Sequence, residues 1–217
     1  MIDKLLEEIG EDKFQNNTTT SLKFKRDIWD FFQGYQDKIA VELGTHKGQT
    51  TKILSYLFKK VYTVNIFDNK EAKKLNSNEK NIEYISNFNL YSSAERHYND
   101  LENCHRDNPL PIKDTIDVFL IDAGHQYEHL LADIQRVVSM ECAEDCYLIF
   151  DDYGCKQSPQ YQIRKAVDYY IDQNALIKIK GIGYPKGISF KPEASDDMRK
   201  KYTLEDFEGL ITKVNRT

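Results

Sequence analysis

The apolar run Ile116-Asp117-Val118-Phe119-Leu120-Ile121 stops at Asp122-Ala123-Gly124-His125, an acid followed three residues later by an imidazole. Such a pair can hold a cation or move a proton. A second run, Cys146 to Phe150, closes on Asp151-Asp152, and a third, Lys38 to Leu43, carries Glu42 into Gly44-Thr45-His46-Lys47-Gly48. All three runs read as strands with polar groups at their carboxyl ends. In an open parallel sheet that edge is where ligands bind, so one crevice could collect a glycine loop, three carboxylates and a histidine. Three clustered carboxylates repel one another unless a cation neutralises them, which points to a divalent metal.

Strand and helix alternate along the rest of the chain. After Gly48, the spacing of Ile53, Leu54, Leu57 and Phe58 predicts a helix, and Val61 to Ile66 and Ile82 to Ser86 read as strands. Tyr91 to Cys104 reads as a polar helix, stopped by Asn108-Pro109-Leu110-Pro111 before a strand at Thr115 to Asp122. Helical spacing returns at Leu130, Leu131, Ile134, Val137 and Val138. It returns again at Ile163, Ala166, Val167, Tyr170 and Ile171, where Ser158-Pro159 suits a cap and first turn. Near the end, Leu176 to Ile182 and Gly187 to Phe190 read as strands joined by Gly183-Tyr184-Pro185-Lys186. That link is too short for a helical crossover, so the pair must be antiparallel. A last helix is expected near Thr203 to Val214. The fold class is therefore α/β, a Rossmann-like three-layer sandwich with a mostly parallel seven-stranded sheet and an antiparallel C-terminal edge hairpin. An N-terminal helical region, residues 1–37, precedes a single globular domain, residues 38–217.

With 217 residues the chain suits one domain with a sizeable core. Its 40% hydrophobic and 30% charged residues are an ordinary globular balance. No apolar run is long enough for a membrane span, and Met1 to Glu8 lacks the apolar stretch of a secretory signal, so a cytoplasmic protein is expected. Cys104, Cys142, Cys146 and Cys155 show no CxxC spacing and read as reduced thiols. A net charge of -5 argues against a nucleic-acid surface. The short basic run of Lys23, Lys25 and Arg26 reads as a solvated face. Whether the chain forms a homo-oligomer is left open.

The order of elements, with Glu42 to Thr50 after the first strand, resembles the class I S-adenosylmethionine-dependent methyltransferases. Within them, Ile121-Asp122-Ala123-Gly124-His125-Gln126-Tyr127-Glu128, Leu148-Ile149-Phe150-Asp151-Asp152-Tyr153 and Arg164-Lys165-Ala166-Val167-Asp168 are similar to the metal-dependent small-molecule O-methyltransferases, the macrocin (sugar) type being the nearest fit. The resemblance implies an S-adenosylmethionine cofactor held by Glu42, Gly44, Thr45, Gly48, Thr50, Asn65, Asn89 and Asp122. In that reading Glu42 lies near the cofactor's ammonium and Thr50 meets its carboxylate. It implies a divalent cation, magnesium by its oxygen ligands, on Asp122, Asp151 and Asp152, and a general base at His125. The acceptor would be a small-molecule hydroxyl. The acid that the family carries at the end of the second strand is Asn65 here, which can still accept one ribose hydrogen bond; Asn89 stands at the adenine position.

Three other readings compete. A non-catalytic methyltransferase-fold protein binding a nucleoside would explain the departures at Asn65 and Asn89. His125-Gln126-Tyr127-Glu128-His129 spells the H-x-x-E-H pattern of inverted zinc proteases. A nicotinamide enzyme fits less well, because Gly44 to Gly48 lacks the tight G-x-G-x-x-G turn.

Overall fold

Period-two burial puts every central strand between two apolar layers. Phe119 and Ile121 face one side with Leu148 and Phe150, while Val118 and Leu120 face the other with Ile149. Helices cover both faces. The computed structural model describes residues 1–9, 20–88, 109–139, 142–154, 161–185 and 206–216.

In chain order the elements are α1 (Ile2–Ile9), α2 (Leu22–Phe31), β1 (Ile39–Leu43), α3 (Gln49–Leu57), β2 (Lys60–Val64), α4 (Lys70–Leu75), β3 (Ile82–Ile85), β4 (Ile116–Ile121), α5 (Tyr127–Ser139), β5 (Cys142–Phe150), α6 (Tyr161–Asp172), β6 (Leu176–Pro185) and β7 (Phe207–Val214). The seven strands lie in the order β3-β2-β1-β4-β5-β7-β6. The first five are parallel, and β7 runs antiparallel to both β5 and β6. Chain order reverses between β1 and β4. In doubly wound sheets such a switch point forms a crevice above the carboxyl ends of the strands.

One core layer packs α5 and α6 on the sheet through Leu130, Ile134, Val137, Ala166 and Val167. The other packs α1, α2 and α3 through Leu5, Leu6, Phe24, Ile28, Leu54 and Leu57. The N-terminal helices thus share the core of the sheet. Ser21 caps α2 by accepting the Phe24 N–H at 2.9 Å, and its own N–H and hydroxyl donate to Glu208 on β7 at 2.8 and 2.5 Å. Asp27 accepts the Gly183 N–H of β6 at 2.9 Å.

The antiparallel edge differs from the sequence reading in its parts. Phe207–Val214 is a strand, not a helix, and it is the partner of β6. Lying between β5 and β6, β7 is buried on nearly every residue, so its apolar spacing of three and four imitates a helix. The expected turn at Gly183-Tyr184-Pro185 is instead the end of β6. Proline is tolerated there because β6 is an edge strand. The expected strand at Gly187 to Phe190, the helix at Tyr91 to Cys104 and the Ser158-Pro159 cap lie outside the described residues.

Candidate active site

The strand ends are stitched into one continuous edge by backbone hydrogen bonds. Gly44 N–H donates to Val64 at 2.9 Å, Asp122 N–H to Leu43 at 2.9 Å, Asp151 N–H to Ile121 at 3.4 Å and Asn65 N–H to Ile85 at 3.0 Å. Gly44 has a φ of 99°, and a Cβ there would sit 2.0 Å from the carbonyl oxygen of Asp122. Only glycine fits between β1 and β4 at this point. Gly48 has a φ of 76° and packs against Ala72 of α4, where a Cβ would lie 2.7 Å from the alanine methyl. Both glycines are therefore demanded by the chain's own packing. Gly48 starts α3 with no side-chain cap hydrogen bond.

His125 lies in the turn between β4 and α5. Its Nε2 is 3.9 Å from Asp122 Oδ1 and 3.9 Å from Asp152 Oδ2, so the imidazole stands between two carboxylates. All three side chains remain partly open to solvent. Asp152 holds a left-handed φ of 57° at the end of β5, which asparagine and aspartate tolerate better than most residues. A proton taken up by His125 would place its positive charge between Asp122 and Asp152. The structure thus joins three of the expected residues. Asp151 is buried at the same strand end. Among the described residues, no group of three or more histidines, cysteines, aspartates or glutamates is arranged to hold a metal ion. The expected three-carboxylate cation site is not assembled in this arrangement. His125 precedes α5 while His129 lies within it, so the two are not paired on one helix as the protease pattern requires.

Glu42 sits deeper. Period two turns it to the α3 side with Ala40, where it is 1% exposed. Thr51 and Thr63 donate their hydroxyls to Glu42 Oε2 at 2.5 and 2.6 Å, and Thr45 lies 2.6 Å from Thr63. Since Thr63 spends its only proton on Glu42, it accepts from Thr45. Burial pushes the Glu42 carboxyl up to about 8 against the pull of both threonines, with the Asp122 charge adding a smaller push. Thr50 meets the hydroxyl of Thr20 at 3.1 Å, and Thr20 in turn meets Lys25 Nζ at 2.7 Å. Asn65 donates from Nδ2 to the Phe67 carbonyl at 3.0 Å. Asn89 lies outside the described residues.

Sequence reasoning missed Lys25, Thr51 and Thr63. Lys25 is 1% exposed, not part of a solvated face; Lys23 pairs with Asp27, and Arg26 with Asp3. The signal was the spacing of Phe24, Ile28 and Phe32, which carries Lys25 onto the buried face of α2.

A family model described as a methyltransferase domain matches residues 41–153, just over half of the chain, from within β1 to Tyr153. The chain belongs to that family. The match begins one residue before Glu42 and takes in Gly44, Asp122, His125, Asp151 and Asp152. No curated protein sequence matches the chain. Solved methyltransferases share its fold. The tRNA methyltransferase TrmI of Aquifex aeolicus has a TM-score of 0.60 at 18% identity, covering 98% of this chain and 76% of its own. An O-methyltransferase from Bacillus cereus, solved with SAH, scores 0.57 at 12% identity and covers 99% and 90%. The O-methyltransferase TomG from Streptomyces achromogenes, solved with SAM, scores 0.55 at 10% identity and covers 98% and 88%. At these identities the likeness is one of fold. Among the described residues no helix is long and apolar enough to cross a membrane.

Proposed function

We propose that this methyltransferase-family chain is an S-adenosylmethionine-dependent O-methyltransferase acting on the hydroxyl of a small molecule, a sugar being the class suggested by the macrocin-type motifs. The observation that carries the reading is the Asp122-His125-Asp152 cluster at the sheet's switch point, where the backbone of Asp122 packs against Gly44. The cofactor's methionine carboxylate would meet the uncapped start of α3 and Thr50, its ammonium would lie toward Glu42, and its ribose would reach Asn65. His125 would take the acceptor hydroxyl's proton as the oxygen attacks the methyl carbon in line with sulfur, and S-adenosylhomocysteine would leave. Asp122 and Asp152 would steady the imidazolium so formed.

Among the described residues the donor set as it stands does not fit a three-carboxylate magnesium site. Should one be recruited, Asp122 and Asp152 are the side chains to hold it. The test is transfer of a labelled methyl from S-adenosylmethionine to a panel of small hydroxyl compounds, with and without a chelator. His125→Ala is expected to lower the transfer rate by roughly 100-fold to 10,000-fold while cofactor affinity holds. Full transfer by His125→Ala would remove the base assignment. A rate lost on chelation would restore the cation.

A further inference from the structure

At the opposite end of β5 from the crevice, the strand register breaks. Ile116 of β4 pairs with Cys142, yet Val118 pairs with Tyr147, so Asp117 alone faces the four residues from Ala143 to Cys146. In a regular strand, residues four apart would be separated by roughly 13 Å. The bulge instead shortens that span, because Cys142 and Tyr147 lie opposite Ile116 and Val118, which are only two residues apart, and so it draws Cys146 back toward Cys142. Arg216, past the end of β7, places Nη2 2.6 Å from Cys142 Sγ, and its Nη1 donates to the Val138 carbonyl at 3.3 Å. Cys142 is partly exposed, Cys146 is buried, and both are free thiols.

We propose that Cys142 and Cys146 form a peroxide-reactive dithiol, with Cys142 as the attacking thiolate, Cys146 as the resolving thiol and Arg216 as the cation that holds the thiolate. The charges facing the pair are Arg216 and Asp117, the latter 3.5 Å from Lys38; Asp145 on the bulge itself pairs with Lys213. The thiol of Cys146 and the Arg216 guanidinium bring Cys142 down to about 6, while the Cys142 contact and burial push Cys146 up.

The chemistry balances with hydrogen peroxide as oxidant. The Cys142 thiolate attacks one peroxide oxygen, the O–O bond breaks, and the departing hydroxide takes up a solvent proton to become water. Cys142 is then a sulfenic acid. With the neighbouring charge gone, the main cause raising Cys146 lapses. Its sulfur displaces hydroxide from Cys142 Sγ, and its proton leaves with that hydroxide as a second water. Two thiols become one disulfide and one peroxide becomes two waters.

The test uses the full reduced chain. Iodoacetamide, with peptide mapping, should alkylate Cys142 with a midpoint near pH 6. At pH 6 that reaction should run about tenfold faster than with N-acetylcysteine, the larger thiolate fraction being partly offset by lower nucleophilicity. Arg216→Gln should move the midpoint up by about one pH unit or more. Peroxide should yield a Cys142–Cys146 disulfide, whereas Cys146→Ser should stop at a sulfenic acid on Cys142 that dimedone traps. Alkylation of Cys142 that tracks N-acetylcysteine across pH, or peroxide that leaves the wild-type pair as thiols, would overturn the proposal. Both of those readouts are on the wild-type chain and do not depend on any variant folding.

Discussion

Glu42→Gln isolates the cost of burying a carboxyl beneath the crevice. In the folded chain burial raises that group from 4.5 to about 8. At pH values below 4.5 the folded and unfolded chains both hold the proton, and the carboxyl costs nothing. Between 4.5 and 8 only the unfolded chain gives its proton up, so stability falls as pH rises; above about 8 the folded chain ionises too and the loss levels off. At 1.36 kcal/mol per pH unit the interval sets a ceiling of about 5 kcal/mol, and reorientation of the Thr51 and Thr63 hydroxyls brings the expected value to about 2–4 kcal/mol. Glutamine fills the same space and stays neutral. In urea unfolding followed by fluorescence of Trp29, the chain's single tryptophan, the variant should match wild type near pH 4.5 and exceed it by that amount at pH 8.5. An equal gap at both pH values would refute the reasoning. The same proton bears on cofactor binding. At pH 7 most Glu42 carboxyls are protonated, and a cofactor ammonium beside them would expel up to about one proton per site. Calorimetry in two buffers of different ionisation enthalpy reads that release, and Glu42→Gln should abolish it.

Gly44→Ala should cost more than about 3 kcal/mol or prevent folding, because its methyl would overlap the Asp122 carbonyl at a left-handed φ; a shift in denaturation midpoint below about 1 kcal/mol would show that β1 and β4 can part. Asn65→Asp should tighten S-adenosylmethionine several-fold, up to about tenfold, by giving the ribose a charged acceptor. Unchanged affinity by titration would place the ribose elsewhere. Asp152→Asn removes one of the two charges flanking His125 and should lower the catalytic constant about tenfold with KM little changed. A rise in KM alone would make Asp152 a binding group.

The sheet and the cluster were legible for the same reason. Buried parallel strands are continuous apolar runs, so the point where polarity begins, at Asp122 and at Asp151-Asp152, marks the carboxyl-terminal edge of the sheet directly. His125 followed from its three-residue distance to Asp122. That rule failed at Phe207–Val214, where a strand buried on both faces shows no alternation and its leucine, isoleucine and valine spacing fits a helix equally well. Pro185 was read as a turn because the sequence does not say that β6 lies at an edge. The Thr51 and Thr63 contacts with Glu42 join residues 9 and 21 positions away, and nothing local in the chain announces such pairs. The cation reading rested on three acids at two strand ends; Asp122 and Asp152 converge on His125, yet no metal-holding group forms among the described residues.

Calorimetric titration of the wild-type chain with S-adenosylmethionine and with S-adenosylhomocysteine tests the central claim most directly, since it needs no knowledge of the acceptor. Saturable one-to-one binding of both ligands in the micromolar to submillimolar range is the result expected, weakened when Glu42 is replaced by glutamine. Absence of heat and of any thermal shift at millimolar concentrations of either ligand would contradict it.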